Sequence, residues 1–503
     1  MIELDAEKIL SIPRKIRSQE VVRRGFMSDF LFQNVSNVFH APMEVIEIIQ
    51  QFTPVQEPKG KVDVTPQTAG NLSIDEKGDV SLSDEYVIGR STELFGEKIF
   101  DDIPDKLKDV IEDIQEAKED KKDKQLEYLK DVFHKEAVDT LMDSARQQYG
   151  SDIRPSDQKR LERKLNTDAD HIINRAYGDY TIAQNKLEKE HKDALATSKT
   201  AEDTTKADKE YEEKKKAAVE TLKQTLTDSV DDFVSSVGQD IVRTVETQKR
   251  EQEKKTIEDA VKDHLRGFSR TIPSFLMAYG DETVTLATFD KIIPDQVFLE
   301  VTSITLEQFV FLRDGGEYTD SETGEKKRFA GKLFDPVVFD DSVKEFLRLK
   351  RALADYFEET STEDIFDYIP PQKTNQIFTP KWVVKKMVDM LEEENPGCFD
   401  NPDKTFIDLY MKSGLYITEI VKRLYQSSTL KRLYPDKSER LRHIFSKQVY
   451  GLAPTEIIYR IATNYILGFD ETVQIEEHNF RQADALEYAK AGKLDKILTK
   501  LFS

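Results

Sequence analysis

Between Pro155 and Pro273 the chain carries no proline, and inside that run Val219, Leu222, Leu226, Val230, Phe233, Val237, Ile241 and Val245 recur at steps of three or four. A helix turns every 3.6 residues, so these side chains form one apolar stripe along one long helix. Such a stripe needs a packing partner, and it is expected to be a packing surface of a charged helical coupler or coiled coil rather than a ligand surface. The segment before it, Lys186 to Lys216, is almost purely Lys, Glu, Asp, Ala and Thr, and reads as a solvated helix or a partly disordered arm.

The flanks are of different texture. Residues 1–59 read as short helices with apolar Val21, Val22, Phe26, Val45, Ile46, Ile48 and Ile49. Residues 60–100 alternate, as in Val62 and Val64, Leu72 and Ile74, Val80 and Leu82, which predicts small β hairpins. The charged helical coupler is expected over 101–266 and a mixed α/β coupler over 267–367, with a hairpin around Gly315 to Gly331 and a helix from Ser342 to Phe357. The paired prolines Pro370 and Pro371 predict a domain entrance near Tyr368, so the last segment is 368–503.

Charge and cysteine content exclude several classes. A net charge of −22 argues against a chain that grips nucleic acid over its whole surface, and leaves local contact only. One candidate is Pro13 to Arg24, with Arg14, Lys15, Arg17, Arg23 and Arg24 against Glu20; a solvated helix face explains the same residues. The one cysteine, Cys398, permits neither an internal disulfide nor a cysteine-based zinc site and reads as a small side chain without a role. No run approaches the ~18 apolar residues of a membrane helix, and Met1 to Asp5 is neither basic nor apolar, so the expected location is the cytoplasm.

The chemistry-bearing residues lie in the last quarter. Asn375-Gln376-Ile377-Phe378-Thr379-Pro380 precedes an apolar helix, with Thr379 as its expected cap and Pro380 in its first turn. Thr405 to Tyr410 reads as a short strand ending near Asp408, followed by the turn Met411-Lys412-Ser413-Gly414 and a helix. Gln448 to Glu456 reads as a second strand entering a helix, and Asn479 to Leu486 as a third strand ending near Asp484 and Ala485. Open parallel sheets bind ligands beyond the carboxyl ends of their strands, where these residues fall.

In this order the four elements resemble the gamma class of adenine-N6 DNA methyltransferases. Gln376, Phe378, Thr379 and Pro380 match that family's opening Gln-x-x-Thr-Pro element; Phe406, Asp408, Ser413 and Gly414 match its Phe-x-Asp-Pro-x-x-Gly-Ser-Gly loop. The resemblance implies a mostly α chain with a C-terminal α/β part, the front half of a Rossmann-like methyltransferase domain. It also implies S-adenosylmethionine as cofactor, held by Gln376, Phe378, Thr379, Pro380, Asp408, Ser413 and Gly414, with Asp484 at the adenine amine and Ala485 beside the ring. Three departures stand out. Leu409 stands where the loop's proline is usual. Lys412 replaces a glycine, and a lysine with φ > 0 would cost about 1 kcal/mol, so a rerouted loop is expected. Ala453 replaces the acid that takes the ribose hydroxyls, with Glu456 as candidate substitute against a plain helix-start carboxylate.

The family's catalytic Asn-Pro-Pro-Tyr-like loop follows the next strand, and Ser503 precedes it; no catalytic residue is named and no metal is implied. The run Asp5 to Phe32 resembles the stretch after the second motor lobe of restriction helicases, although no phosphate-cradling Gly-x-x-x-x-Gly-Lys-Ser/Thr occurs. The expectation is a middle portion of a restriction-modification protein that defends against foreign DNA. Its expected partners are double-stranded DNA and the helicase, nuclease and target-recognition parts of the same longer protein or adjoining chains. Two other readings stay open: a non-catalytic helical scaffold with a degenerate methyltransferase fold used for docking, and an α/β enzyme with another nucleotide cofactor.

Overall fold

A computed structural model describes residues 6–33, 41–56, 72–74, 80–115, 119–320, 323–358, 363–371, 378–470 and 472–503. The chain is mostly helical and divides into two compact units, one formed by Met1–Pro66 with Thr256–Ser503 and the other by Gln67–Lys255. Among the described residues no helix is long and apolar enough to cross a membrane, and no group of three or more His, Cys, Asp or Glu side chains is placed to hold a metal ion.

The 67–255 unit opens with an antiparallel pair, β1 (Leu72–Ile74) and β2 (Val80–Leu82). This is the hairpin expected from the alternation of Leu72, Ile74, Val80 and Leu82; Val62 and Val64 lie outside the described residues, and from Asp84 the 60–100 segment is helical, which corrects the expectation there. Ser83 accepts a hydrogen bond from Tyr86 N and caps helix α3 (Asp84–Phe95), and α4 (Glu97–Glu112) follows at once. An N-cap with Asp84 and Glu85 in the first turn ends the alternation and starts a helix. Helices α5 (Glu119–Phe133), α6 (Thr140–Tyr149) and α7 (Pro155–Thr197) then lead into α8 (Ala201–Ser269), whose first part, to Lys255, belongs to this unit.

The stripe from Val219 to Val245 is buried within the chain, against Leu161, Leu165, Ala169 and Ile173 of α7 and the shorter helices. Helices α7 and α8 run antiparallel, since partners ascend on one as they descend on the other: Lys164 with Asp240 at 2.7 Å, Glu190 with Lys214 at 3.8 Å, His191 with Asp208 at 2.8 Å. The charged segment Lys186 to Lys216 is thus helical on both sides of a turn at Ser198 to Thr200, with mostly exposed side chains. Glu246 is 3% exposed and accepts from Arg90 Nε (3.3 Å) and Tyr149 OH (3.1 Å).

The other unit contains α1 (Ala6–Arg23), α2 (Met43–Gln50), the end of α8, α9 (Ile272–Tyr279), α10 (Phe289–Ile292), α11 (Asp295–Thr302) and α12 (Leu306–Asp314). The predicted hairpin follows as β3 (Gly316–Thr319) and β4 (Lys326–Phe329), then α13 (Pro336–Ala352), which packs on α1 and α9. The helix expected from Ser342 starts six residues earlier, because Asp335 caps it through Val337 N and Val338 N and Pro336 sits in its first turn. Phe268, Phe275, Phe289, Phe298 and Phe309 form a connected set of buried rings.

From Lys381 the order is α14 (Lys381–Glu394), β5 (Phe406–Asp408), α15 (Leu415–Gln426), α16 (Ser428–Leu433), α17 (Lys437–His443), β6 (Val449–Ala453), α18 (Glu456–Leu467), β7 (Asn479–Gln482), α19 (Ala485–Lys490) and α20 (Leu494–Phe502). The three strands form a parallel sheet in the order β5-β6-β7, with Phe406 opposite Val449 and Ala453 opposite Gln482. Parallel strands need crossovers, which α15 and α18 supply while packing on the sheet. One core joins this region to the preceding helices: α9 packs on α18, and Tyr356 OH donates to Ile466 O at 3.0 Å.

Candidate cofactor site at the strand tips

β5 is a three-residue strand at the edge of the sheet, and Asp408 ends it opposite Gly451. Its carboxylate Oδ1 accepts from Tyr410 N at 2.9 Å. Burial pushes the Asp408 carboxyl up from its ordinary pKa, and the Tyr410 N–H only partly opposes that shift. The sheet tip therefore holds a desolvated carboxylate, a group that a positively charged ligand would stabilise.

After Asp408 the chain bends across the neighbouring strand. Met411 N donates to Leu452 O at 2.7 Å, and the fully buried Met411 side chain lies where a Cβ on residue 451 would project, 2.2 Å from Sδ. Gly451 is thus what admits the loop. Lys412 stays out of the left-handed region, so the chain follows the expected rerouting; within 409–414 only Gly414 takes a positive φ, +84°. A Cβ at Gly414 would come within 2.7 Å of Ile466 Cγ1, which adds a packing reason for glycine to the conformational one. Ser413 is buried, and its Oγ accepts from Leu415 N at 3.3 Å.

The central strand ends at Ala453, fully buried, whose carbonyl accepts from Ala483 N at 2.8 Å. Glu456 starts α18, and its Oε1 accepts from Arg460 Nε (3.0 Å) and Tyr279 OH (3.3 Å). Arg460 also lies over the Tyr279 ring, 4.9 Å from its centroid. Burial first, and Glu456 second, push the Tyr279 phenol up to about 12. On the third strand's exit, Asp484 is the N-cap of α19, its Oδ1 accepting from Leu486 N (2.9 Å) and Glu487 N (3.4 Å), with Ala485 buried beside it.

The entry element differs from expectation. Thr379 does not cap α14; Pro380 is the N-cap, with no side-chain hydrogen bond, because the helix begins at Lys381. A proline at that place holds φ near −58° and lends its carbonyl to Val383 N and Val384 N. Phe378 packs its ring 4.8 Å from Phe366, which lies 4.8 Å from Tyr465 of α18. Gln376 lies outside the described residues. The structure thus gathers Asp408, Ser413, Gly414, Glu456, Asp484 and Ala485 on the exits of three adjacent strands, and ties Phe378 to α18 through Phe366.

A local reading of the sequence missed Met411 with Gly451 and Tyr279 with Glu456. Nothing in the sequence marks Tyr279 as a neighbour of Glu456. Gly451 is the one visible signal, since a glycine inside an otherwise apolar strand marks a close approach by other atoms.

The chain is similar to an adenine-specific methylase. Over 98 residues, 20% of its length, it is 28% identical to an uncharacterized adenine-specific methylase of Mycoplasma pneumoniae, and the match covers 23% of that protein. This is a distant, partial relationship to a methyltransferase. No protein-family model matches the chain, and no solved structure matches it.

Proposed function

We propose that residues 368–503 form the S-adenosylmethionine-binding front of a Rossmann-like adenine-N6 DNA methyltransferase domain in a restriction-modification protein. The observation that carries this reading is the parallel, sequence-ordered sheet with a desolvated Asp408 at its first tip, taken with the methylase similarity. S-adenosylmethionine carries a sulfonium and an ammonium, and either charge compensates a carboxylate left with one backbone N–H. Gln376, Phe378, Thr379 and Pro380 are proposed to border the methionine end, Ser413 and Gly414 to line the close approach, and Asp484 with Ala485 to meet the adenine. Fit at the ribose is poorer, because Ala453 supplies no acceptor and Glu456 is engaged by Arg460 and Tyr279.

The helices upstream act in this reading as couplers between the methyltransferase part and other parts of a longer cytoplasmic protein. DNA contact is local, with the basic stretch Arg14 to Arg24 as candidate. Calorimetry of the chain with S-adenosylmethionine tests the core claim: saturable binding that Asp408→Ala weakens roughly ten- to a hundredfold supports it, the range expected for losing one interaction with a charged partner. Absence of binding at millimolar cofactor refutes it.

A second reading, a non-catalytic scaffold with a degenerate fold, draws on the same strand exits. Asp484 already caps a helix, Glu456 already serves Arg460, and Ala453 is apolar. That reading expects no cofactor binding and an unchanged assembly when Asp408 is replaced.

A further inference from the structure

Away from the strand tips, a cavity of about 800 Å³ opens among the carboxyl ends of α9, α13 and α18. None of the strand-exit residues lines it. Its size is that of a site for a drug-sized molecule, and much of its wall is apolar, including Met277, Leu347, Leu467 and Phe469.

The polar part of the wall is unbalanced in one respect. Lys350, near the end of α13, points Nζ at the last carbonyls of α9, Leu276 O at 3.1 Å and Met277 O at 3.2 Å. Among the described residues no carboxylate forms an ion pair with it. Arg351 pairs with Glu282, while Asp281, whose Oδ1 accepts from Thr283 N (2.8 Å) and Oγ1 (2.6 Å), acts on Lys350 across the wall from beyond ion-pair distance. Burial pulls the Lys350 amine down to about 8, and Asp281 in the same wall offsets that only in part. The Thr463 hydroxyl, also in the wall, is buried without a partner.

We propose that this cavity binds a small organic anion with an apolar body, its charged head beside Lys350 and its body against the apolar wall. The carboxyl ends of helices carry partial negative charge, so an anion is drawn here by Lys350 itself and not by the general field. The site is independent of the cofactor reading above and stands or falls separately from it.

Decanoate, decanol and decylamine are the probes, titrated calorimetrically into the full chain. Decanoate is expected to bind saturably, at least tenfold tighter than decanol, and decylamine more weakly than either. Lys350→Met is expected to lower decanoate affinity at least tenfold and to leave decanol unchanged, while Lys350→Arg keeps most of the preference. Because Lys350→Met removes two bonds to α9, Ala354→Trp provides a second variant that fills the cavity with Lys350 intact; it is expected to abolish binding of all three probes while circular dichroism stays native. Equal affinity for decanoate and decanol, preference for decylamine, no binding at millimolar decanoate, or decanoate binding that survives Ala354→Trp each overturns the proposal.

Discussion

The loop that leaves β5 depends on a single missing side chain, and Gly451→Ala tests that dependence. The new methyl would sit 2.2 Å from Met411 Sδ and 2.9 Å from its Cγ and Cε, all inside van der Waals contact. Sulfur is in the middle of the side chain, so moving only its tip gives no relief. The backbone is also pinned, because Met411 N is bonded to Leu452 O, one residue beyond the substitution. Overpacking of this kind costs about 1–3 kcal/mol, and the buried, pinned methionine puts Gly451→Ala near 3. Met411→Ala alone leaves a hole and costs about 2–5 kcal/mol. In the double variant the new methyl occupies part of that hole, so the two losses should fall short of additive by about 1–3 kcal/mol. Native-state hydrogen exchange at Val449–Ala453 reads the local stability without assuming that a two-unit chain unfolds in one step. Additive losses, with coupling under about 0.5 kcal/mol, would show that Met411 does not pack on Gly451 and that the loop takes another course.

Three further outcomes follow from the electrostatics. Asp408 has a folded-state pKa above its unfolded one, so its ionised form weakens the fold at neutral pH, and the penalty fades as pH falls from the folded value down to the ordinary 3.8. Asp408→Asn should therefore raise urea resistance at pH 7, with the gain shrinking in acid; a loss of stability at pH 7 contradicts the burial argument. Lys350 is depressed from 10.5 to about 8, so the unfolded chain binds its proton more tightly. Between pH 8 and 10.5 the wild type should gain stability relative to Lys350→Met, and a flat difference across that window counts against the buried amine. Finally, Glu246→Ala leaves Arg90 and Tyr149 without their shared acceptor and should cost about 3–5 kcal/mol in the helical unit, against about 1 for Tyr149→Phe; similar losses from both would mean that the cluster is not organised around Glu246.

What was legible in the sequence was local. The stripe on α8, the hairpin near Gly315, and the alternation of short apolar runs with helices after Tyr368 each carry their own period, and each element formed where that period placed it. Thr379 and the end of the 60–100 segment misled because caps decide over one or two residues: Pro380 displaced Thr379, and Ser83 started a helix directly after the alternating strands. The partner of the α8 stripe was not legible, since it lies on α7 across a turn that a charged sequence does not announce. The same is true of Glu456, whose partner Tyr279 belongs to a helix read as core.

Those long-range partners bear directly on whether the strand exits hold a nucleoside. An acid missing at the ribose removes about 1.5–3 kcal/mol, a ten- to hundredfold loss. A site on the order of micromolar would fall to tens or hundreds of micromolar, still within reach of calorimetry at high protein concentration. Glu456 makes the loss recoverable: Tyr279→Phe removes one of its partners while keeping the ring under Arg460. If Glu456 substitutes for the missing acid, Tyr279→Phe should tighten S-adenosylmethionine, and Glu456→Gln should then cancel the gain. If Glu456 is only a helix-start carboxylate, neither change moves the cofactor affinity, and the ribose is left to backbone groups alone.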